Sequence, residues 1–366
     1  MKQATAIFLL LALLFILAGC TTSTNLPNFG AEAEEPALSR PQDRYSNFLE
    51  IAGYYYYLYN EKVLFSRKEN PVFYYLCSRP NCTHGGTDCN AYAGCALGYW
   101  SGHLYGVIDD ENQDMVVMQM NLDGSEHTKI AKIELPIGDD GGEGGGYFFS
   151  FHENYLYYYV AAYPCALYRV DLSTARTERL FQDLLRGEAD ISFPLDFDGD
   201  AMVFLYRDSD WKNWLYHWQK STEAPECLHE WPLDAKQGWE YFDGKICYYA
   251  GESGSVLTYD YLTGELEKHG SYNYYGGAVY YDTDYIYLIK WDDTAFSNMG
   301  IAVLDKDYNV LQEIDFPNGF DYGFATNDFL FVISKSSYRI SYYLPKSAIG
   351  TGEAVLLPIE DPYSYR

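Results

Sequence analysis

Apolar and polar positions alternate along most of this chain, and the alternation has period two rather than 3.6. GHLYGVIDD (102–110), ENYLYYYVA (153–161), DGDAMVFLYRD (198–208), DGKICYYAG (243–251), TDYIYLIKW (283–291) and NDFLFVISK (327–335) each set turn residues before an apolar run. Such runs predict buried strands entered from tight turns. A second unit follows most of them. VVMQMNLDGSEHTKIAKI (116–133), ALYRVDLSTARTERL (166–180), WLYHWQKSTEAPECL (214–228), VLTYDYLTGELEKH (256–269) and IAVLDKDYNVLQEI (301–314) each read as strand, turn, strand. Beyond the first twenty residues, no stretch longer than a dozen keeps a helical period.

Equivalent strands recur at about 40 to 50 residues, as from Tyr168 to Tyr216. That is the spacing of four-stranded propeller blades. Seven units can be marked, over 47–95, 96–135, 144–183, 188–232, 236–270, 271–317 and 318–360. The fold class expected is therefore all-β: a β-propeller of about seven four-stranded antiparallel blades over residues 46–366, with six or eight blades as the alternatives. A ring removes exposed sheet edges by closure, so one domain of this length is acceptable. With 39 tyrosines beside 20 phenylalanines and 7 tryptophans, the composition suits half-buried pleated surfaces.

The N-terminus departs from this pattern. Lys2 precedes an apolar run, Ile7 to Leu17, too short to span a bilayer comfortably. It ends in Leu17-Ala18-Gly19-Cys20, which resembles the lipobox of bacterial lipoproteins. The resemblance implies a signal peptide over 1–19 and a diacylglyceryl group on Cys20. Residues 20–45 mix Pro, Ser, Thr and acidic residues without apolar periodicity, and are expected to form a flexible stalk. The expected location is outward-facing and lipid-anchored to the cell membrane.

The formal charge is −27. So acidic a chain is repelled by phosphate backbones, which makes nucleic acid an unfavourable partner. No second apolar run is long enough for a transmembrane helix.

One segment carries concentrated chemistry. LCSRPNCTHGGTDCNAYAGC (76–95) holds Cys77, Cys82, Cys89 and Cys95, with His84 among them. On the repeat frame FYYLC becomes the third strand of the first blade, and the cysteines an enlarged outer hairpin. Cys77, Cys82, His84 and Cys89 form a sufficient ligand set for tetrahedral zinc, although the spacing is not the common C-x2-C. Cys82 and His84 lie two apart and share one side of an extended segment, and Gly85-Gly86 lets the chain turn back toward Cys89. The exported setting favours disulfides among Cys77, Cys82, Cys89 and Cys95, with zinc next and free thiols last.

The lipobox, YYLCSRPNCTHGGTDCNAY and the tyrosine-rich repeats together resemble a group of surface lipoproteins of clostridia-like Firmicutes that carry propeller-like repeats. The resemblance spans most of the chain after the leader and implies a surface-anchored propeller. It brings no catalytic residues with it. It also points to the outer leaflet of a Gram-positive membrane.

Three other stretches invite a functional reading. DFDGDAMVF (196–204) lacks the sixth-position glycine and late glutamate of an EF-hand and is read as a hairpin turn. GDDGGEGGGYFF (138–149) lacks GK[ST] and is read as an inter-blade loop. Trp214, Tyr216 and Trp218 share one face of a strand. Exposed, that face would stack on sugars; buried, it is blade packing, the reading preferred here. No G-x-S-x-G, H-E-x-x-H or close Ser/His/Asp grouping is present. The function expected is a binding or scaffolding module for an extracellular glycan or peptide. The alternative is a propeller enzyme acting on polysaccharide.

Overall fold

The computed structural model describes residues 47–362 apart from 52, 135–146, 161–165, 182–189, 192–194, 211, 232–238, 243, 251–252, 273–278, 293–296, 318–319, 335–336 and 338. The expected signal peptide, Cys20 and the expected stalk lie outside the described residues, as does most of the glycine-rich stretch 138–149.

The chain forms seven antiparallel blades, at 48–75, 97–132, 147–180, 190–231, 239–269, 279–315 and 320–358. In six of them strand order follows chain order, as in a simple meander. In the fourth blade the innermost position is split into Asp190–Ile191 and Asp196–Asp198, both paired with Ala201–Arg207. The protein is a seven-bladed β-propeller. Among the described residues the one helical element is a 3-10 turn at Lys346–Ala348, and no helix is long and apolar enough to cross a membrane.

Seven apolar clusters hold the described ring, and each spans a junction between neighbouring blades. This explains the tyrosine runs. A middle strand is covered on both faces, so successive residues enter opposite junctions. Tyr56 packs toward blade 2, whereas Tyr55 and Tyr57 pack toward blade 7. In blade 3, Tyr158 packs toward blade 2, and Tyr157 and Tyr159 toward blade 4. In three junctions a long ring fills the space while its hydroxyl reaches a loop carbonyl at the far end. Tyr56 donates to Leu122 O (3.1 Å), Tyr158 to Glu134 O (3.0 Å) and Tyr249 to Tyr272 O (3.1 Å).

The turns between third and fourth strands reuse one device. A side-chain oxygen of Asp171, Asp260 or Asp305 accepts backbone N–H groups two to four residues on, from Ser173 (2.8 Å), Thr263 (2.9 Å) and Asn309 (2.8 Å) respectively. These are the aspartates of VDLSTA, YDYLTG and LDKDYN, and their local bonds compete with any continuation of the strand. The outermost strands, such as Arg176–Leu180 and Glu265–His269, are mostly exposed and charged. That composition discourages edge-to-edge pairing with another chain.

The structure corrects one assignment. FYYLC is not a third strand: Asn70–Tyr75 is the outer, fourth strand of blade 1. The third strand, Lys62–Arg67, turns back through Lys68 and Glu69 alone, with Arg67 opposite Asn70. That tight turn carries no glycine or proline, so the sequence frame slipped by one strand. The cysteine segment is therefore the connection from blade 1 to blade 2 rather than an outer hairpin.

Candidate metal centre

Beyond Tyr75 the chain must cross from the rim of blade 1 to the innermost strand of blade 2, Leu97–Trp100. Its second half is a strap bonded to both blades. The Val63 amide donates to Ala91 O (2.7 Å), Ala93 to Glu61 O (2.9 Å) and Cys95 to Val107 O (2.9 Å). Small residues are required here. Ala91, Ala93 and Ala96 are fully buried. Gly94 has φ +75, and a Cβ on it would lie 1.9 Å from Val107 O.

The first half coils. Asn81 (φ 59) and His84 (φ 55) both adopt the left-handed region. As a result the sulfurs of Cys77, Cys82 and Cys89 and a ring nitrogen of His84 all lie within 4.8 Å of one another. His84 Nδ1 stands 3.4 Å from Cys89 Sγ. Cys89 is buried, and the other three are partly buried. Surrounding groups hold these side chains. The Tyr75 ring stacks on the imidazole at 4.5 Å, the Ala91 amide donates to Cys89 Sγ (3.4 Å), and Arg79 pairs with the Asp88 carboxylate at 3.0 Å.

Burial pushes the Cys89 thiol up to about 12. Burial also opposes ionisation of Cys82, but the His84 amide and the adjoining thiols outweigh it and hold Cys82 below its ordinary value. Three sulfurs this close cannot all ionise without a compensating positive charge. Cys95 stands outside the group and directs its thiol at Val107 O (3.5 Å). A set of three sulfurs and one imidazole suits a soft, tetrahedral divalent ion, and four protein donors leave no open position for substrate.

A cleft of about 410 Å³ opens beside the strap. Thr87 and Tyr92 of the connection form one wall; Asp109, Met118, His127 and Lys129 of blade 2 are among the groups facing them. Lys129 pairs with Asp110 (3.0 Å) and Glu111 (3.4 Å), and the His127 ring lies 3.1 Å from Asn90 O. Sequence reasoning missed this cleft, because its walls come from the connection and from several strands and turns of blade 2. The alternating small residues of AYAGCA were the available sign that a backbone crosses closely there.

Trp214, Tyr216 and Trp218 do share a face, but it is packed. Trp218 is buried against Phe181 and donates to Thr222 O (3.0 Å), while Tyr216 stacks on Phe204. Trp214 is half-buried and donates to Asp208 (2.8 Å). Trp218 and Tyr216 line the junction of blades 3 and 4, and Trp214 is tied to Asp208 within blade 4. Residues 199–200 form the turn expected of DFDGDAMVF.

No protein-family model and no curated protein matches this chain. Among solved structures, a prolyl endopeptidase is similar at TM-score 0.56 and 14% identity, over 90% of this chain and 51% of that one. PorZ of Porphyromonas gingivalis, described as an essential bacterial surface component of the type-IX secretion system, is similar at TM-score 0.53 and 13% identity, over 90% of this chain and 39% of that one. The chain thus spans about half or less of these two relatives. Such similarity shows the propeller fold alone.

Proposed function

We propose that this protein is a lipid-anchored, extracytoplasmic propeller that acts as a binding or scaffolding module for an extracellular glycan or peptide. The observation that carries the reading is the cleft between the strap and blade 2. It combines an aromatic and a thioether with a few charged groups, the mixture that fixes and orients a ligand. Its Met118 also belongs to the core of the blade 1–2 junction, so the cleft opens at the edge of that junction, where Tyr92, His127 and the charged groups complete the lining. LAGC at Cys20 and the acidic, proline-containing stretch after it support a tether and a stalk, with the outer leaflet of a Gram-positive membrane as the anchor point. A surface role accords with the description of PorZ. The charge of −27 disfavours nucleic acid.

The test is a glycan and peptide array probed with the fragment from residue 46 onward. Retention of a defined ligand class, weakened at least about tenfold by Lys129→Ala, supports binding at the cleft. Release of products from a polysaccharide would instead establish an enzyme, and retention indifferent to Lys129→Ala would move the site elsewhere on the ring.

A further inference from the structure

We propose that Cys77, Cys82, His84 and Cys89 bind one zinc ion, which locks the connection between blades 1 and 2. The inference is independent of the ligand-binding reading above.

The geometry comes first. A tetrahedral site with Zn–S near 2.3 Å and Zn–N near 2.0 Å has donor–donor edges of about 3.5–3.8 Å. His84 Nδ1 and Cys89 Sγ are already 3.4 Å apart, and no pair of the four donors exceeds 4.8 Å. Closing on an ion therefore takes side-chain shifts of about an ångström or less. The donors come from one short segment whose two left-handed residues serve no hairpin or strand.

The number of sulfurs argues against a disulfide as the purpose of the cluster. A disulfide joins two sulfurs and would leave the third thiol and the imidazole without a role. The fourth cysteine of the segment, Cys95, is not gathered with the others but faces Val107 O. The surroundings are also those of a metal site. Metal-bound ligands are held by outer contacts, and here an amide N–H points at Cys89 Sγ while the Tyr75 ring holds the His84 imidazole.

The consequence is mechanical. Residues 77–89 make few backbone bonds, and the segment has no apolar interior beyond what Cys77, Cys82 and Cys89 lend to the junction of blades 1 and 2. A four-coordinate ion supplies the cross-link that a short irregular segment needs. It thereby fixes the start of the strap and the Thr87 wall of the cleft.

The full chain, purified without chelator under reducing conditions, should contain about one zinc by elemental analysis. Replacing the ion with cobalt(II) should give the visible absorption of a tetrahedral thiolate complex. Cys82→Ser should abolish that absorption, His84→Cys should retain it with a shifted band, and Cys95→Ser should leave it unchanged. His84→Ala should weaken metal binding at least about tenfold. Removing zinc should accelerate cleavage by a protease within 78–88 while the far-UV circular dichroism of the ring persists. Should Cys82→Ser fail to fold, the cobalt spectra of the wild type and of the His84 and Cys95 variants still decide the matter. Protein without bound metal, whether its three thiols titrate freely or two of them are joined in a disulfide, would overturn the proposal. Retention of the cobalt spectrum in Cys82→Ser would overturn this ligand set.

Discussion

Tyr55 donates its hydroxyl to the Asp328 carboxylate across 3.3 Å, although 273 positions separate them in the chain. The same hydroxyl meets Thr326 Oγ1 at 3.3 Å, Phe48 lies 4.5 Å from Phe324, and Asn327 Nδ2 donates to Glu50 (3.2 Å). Blade 1 comes wholly from the N-terminal part of the described chain and blade 7 wholly from its C-terminal part. Among the described residues no strand is exchanged between them. The ring is thus closed by side-chain packing at one junction, and closure is as strong as that junction.

Phe48→Ala should accordingly cost about 3–5 kcal/mol, as for a large buried aromatic. Tyr55→Phe, which keeps the ring and removes the hydroxyl, should cost about 0.5–1.5 kcal/mol. Urea denaturation followed by tyrosine and tryptophan fluorescence measures both. A cost below about 1 kcal/mol for Phe48→Ala would mean that the junction of blades 7 and 1 contributes little to closure.

Blades 6 and 7 are joined by a buried charge pair. Lys346 Nζ lies 3.1 Å from Asp282 and 2.8 Å from Asp284, and the Lys346 and Asp282 side chains are 6% and 4% exposed. Tyr287 donates to Asp282 (2.6 Å). Burial alone would raise the Asp282 carboxyl, but the Tyr287 hydroxyl, the Tyr285 amide and Lys346 together hold it below the ordinary range. Lys346→Met should cost about 3–5 kcal/mol, because it strands a buried carboxylate. Adding Asp282→Asn should recover part of that loss. The folded-state pKa of Asp282 is depressed, so its stabilisation is present above the unfolded value of about 3.9 and is lost as pH falls through the folded one. Denaturation midpoints of the wild type should therefore drop below about pH 4, and Asp282→Asn should flatten that slope. An unchanged acid limb in the variant would remove Asp282 from the explanation.

Gly94 is the tightest point of the strap. It has φ +75, and an added Cβ would meet the Val107 carbonyl, not a flexible side-chain end. Gly94→Ala combines backbone strain with a clash that only movement of the blade 2 strand can relieve. A loss of at least about 2–3 kcal/mol is expected. Hydrogen exchange at the Cys95 and Ala93 amides should rise in the variant. Gly102→Ala is the control: φ is also positive, but nothing lies within 4 Å, so strain alone remains and the loss should be smaller.

The blade count was legible because turn aspartates and period-two runs recur at a steady interval; the Asp171 and Asp260 turns are physical copies of one another, and Asp305 uses its carboxylate in the same way in a different turn. The strand frame of blade 1 was not, since Lys68-Glu69 makes a hairpin with ordinary residues. The group Cys77, Cys82, His84 and Cys89 could be singled out from the sequence, but its convergence could not. It depends on left-handed φ at Asn81 and His84, a conformation that both residue types tolerate better than most but that neither imposes. Trp214, Tyr216 and Trp218 show the converse limit: alternation reveals a shared face but not whether a neighbouring blade covers it.

The anchor proposed at Cys20 can be tested apart from the ring. The first strand begins at Phe48, and the Leu58 amide already closes on Asn47 O (2.6 Å). If Cys20 carries the lipid, Cys20→Ser removes the attachment and leaves these contacts as they are. One acyl chain gives marginal membrane binding and two or more give lasting attachment. Wild-type protein should therefore stay in the membrane pellet through a carbonate wash, and the variant should move to the soluble or secreted fraction. Its thermal midpoint should match that of the fragment from residue 46 onward. Retention of Cys20→Ser in the washed pellet would show that something other than the lipidated cysteine holds the protein to the membrane.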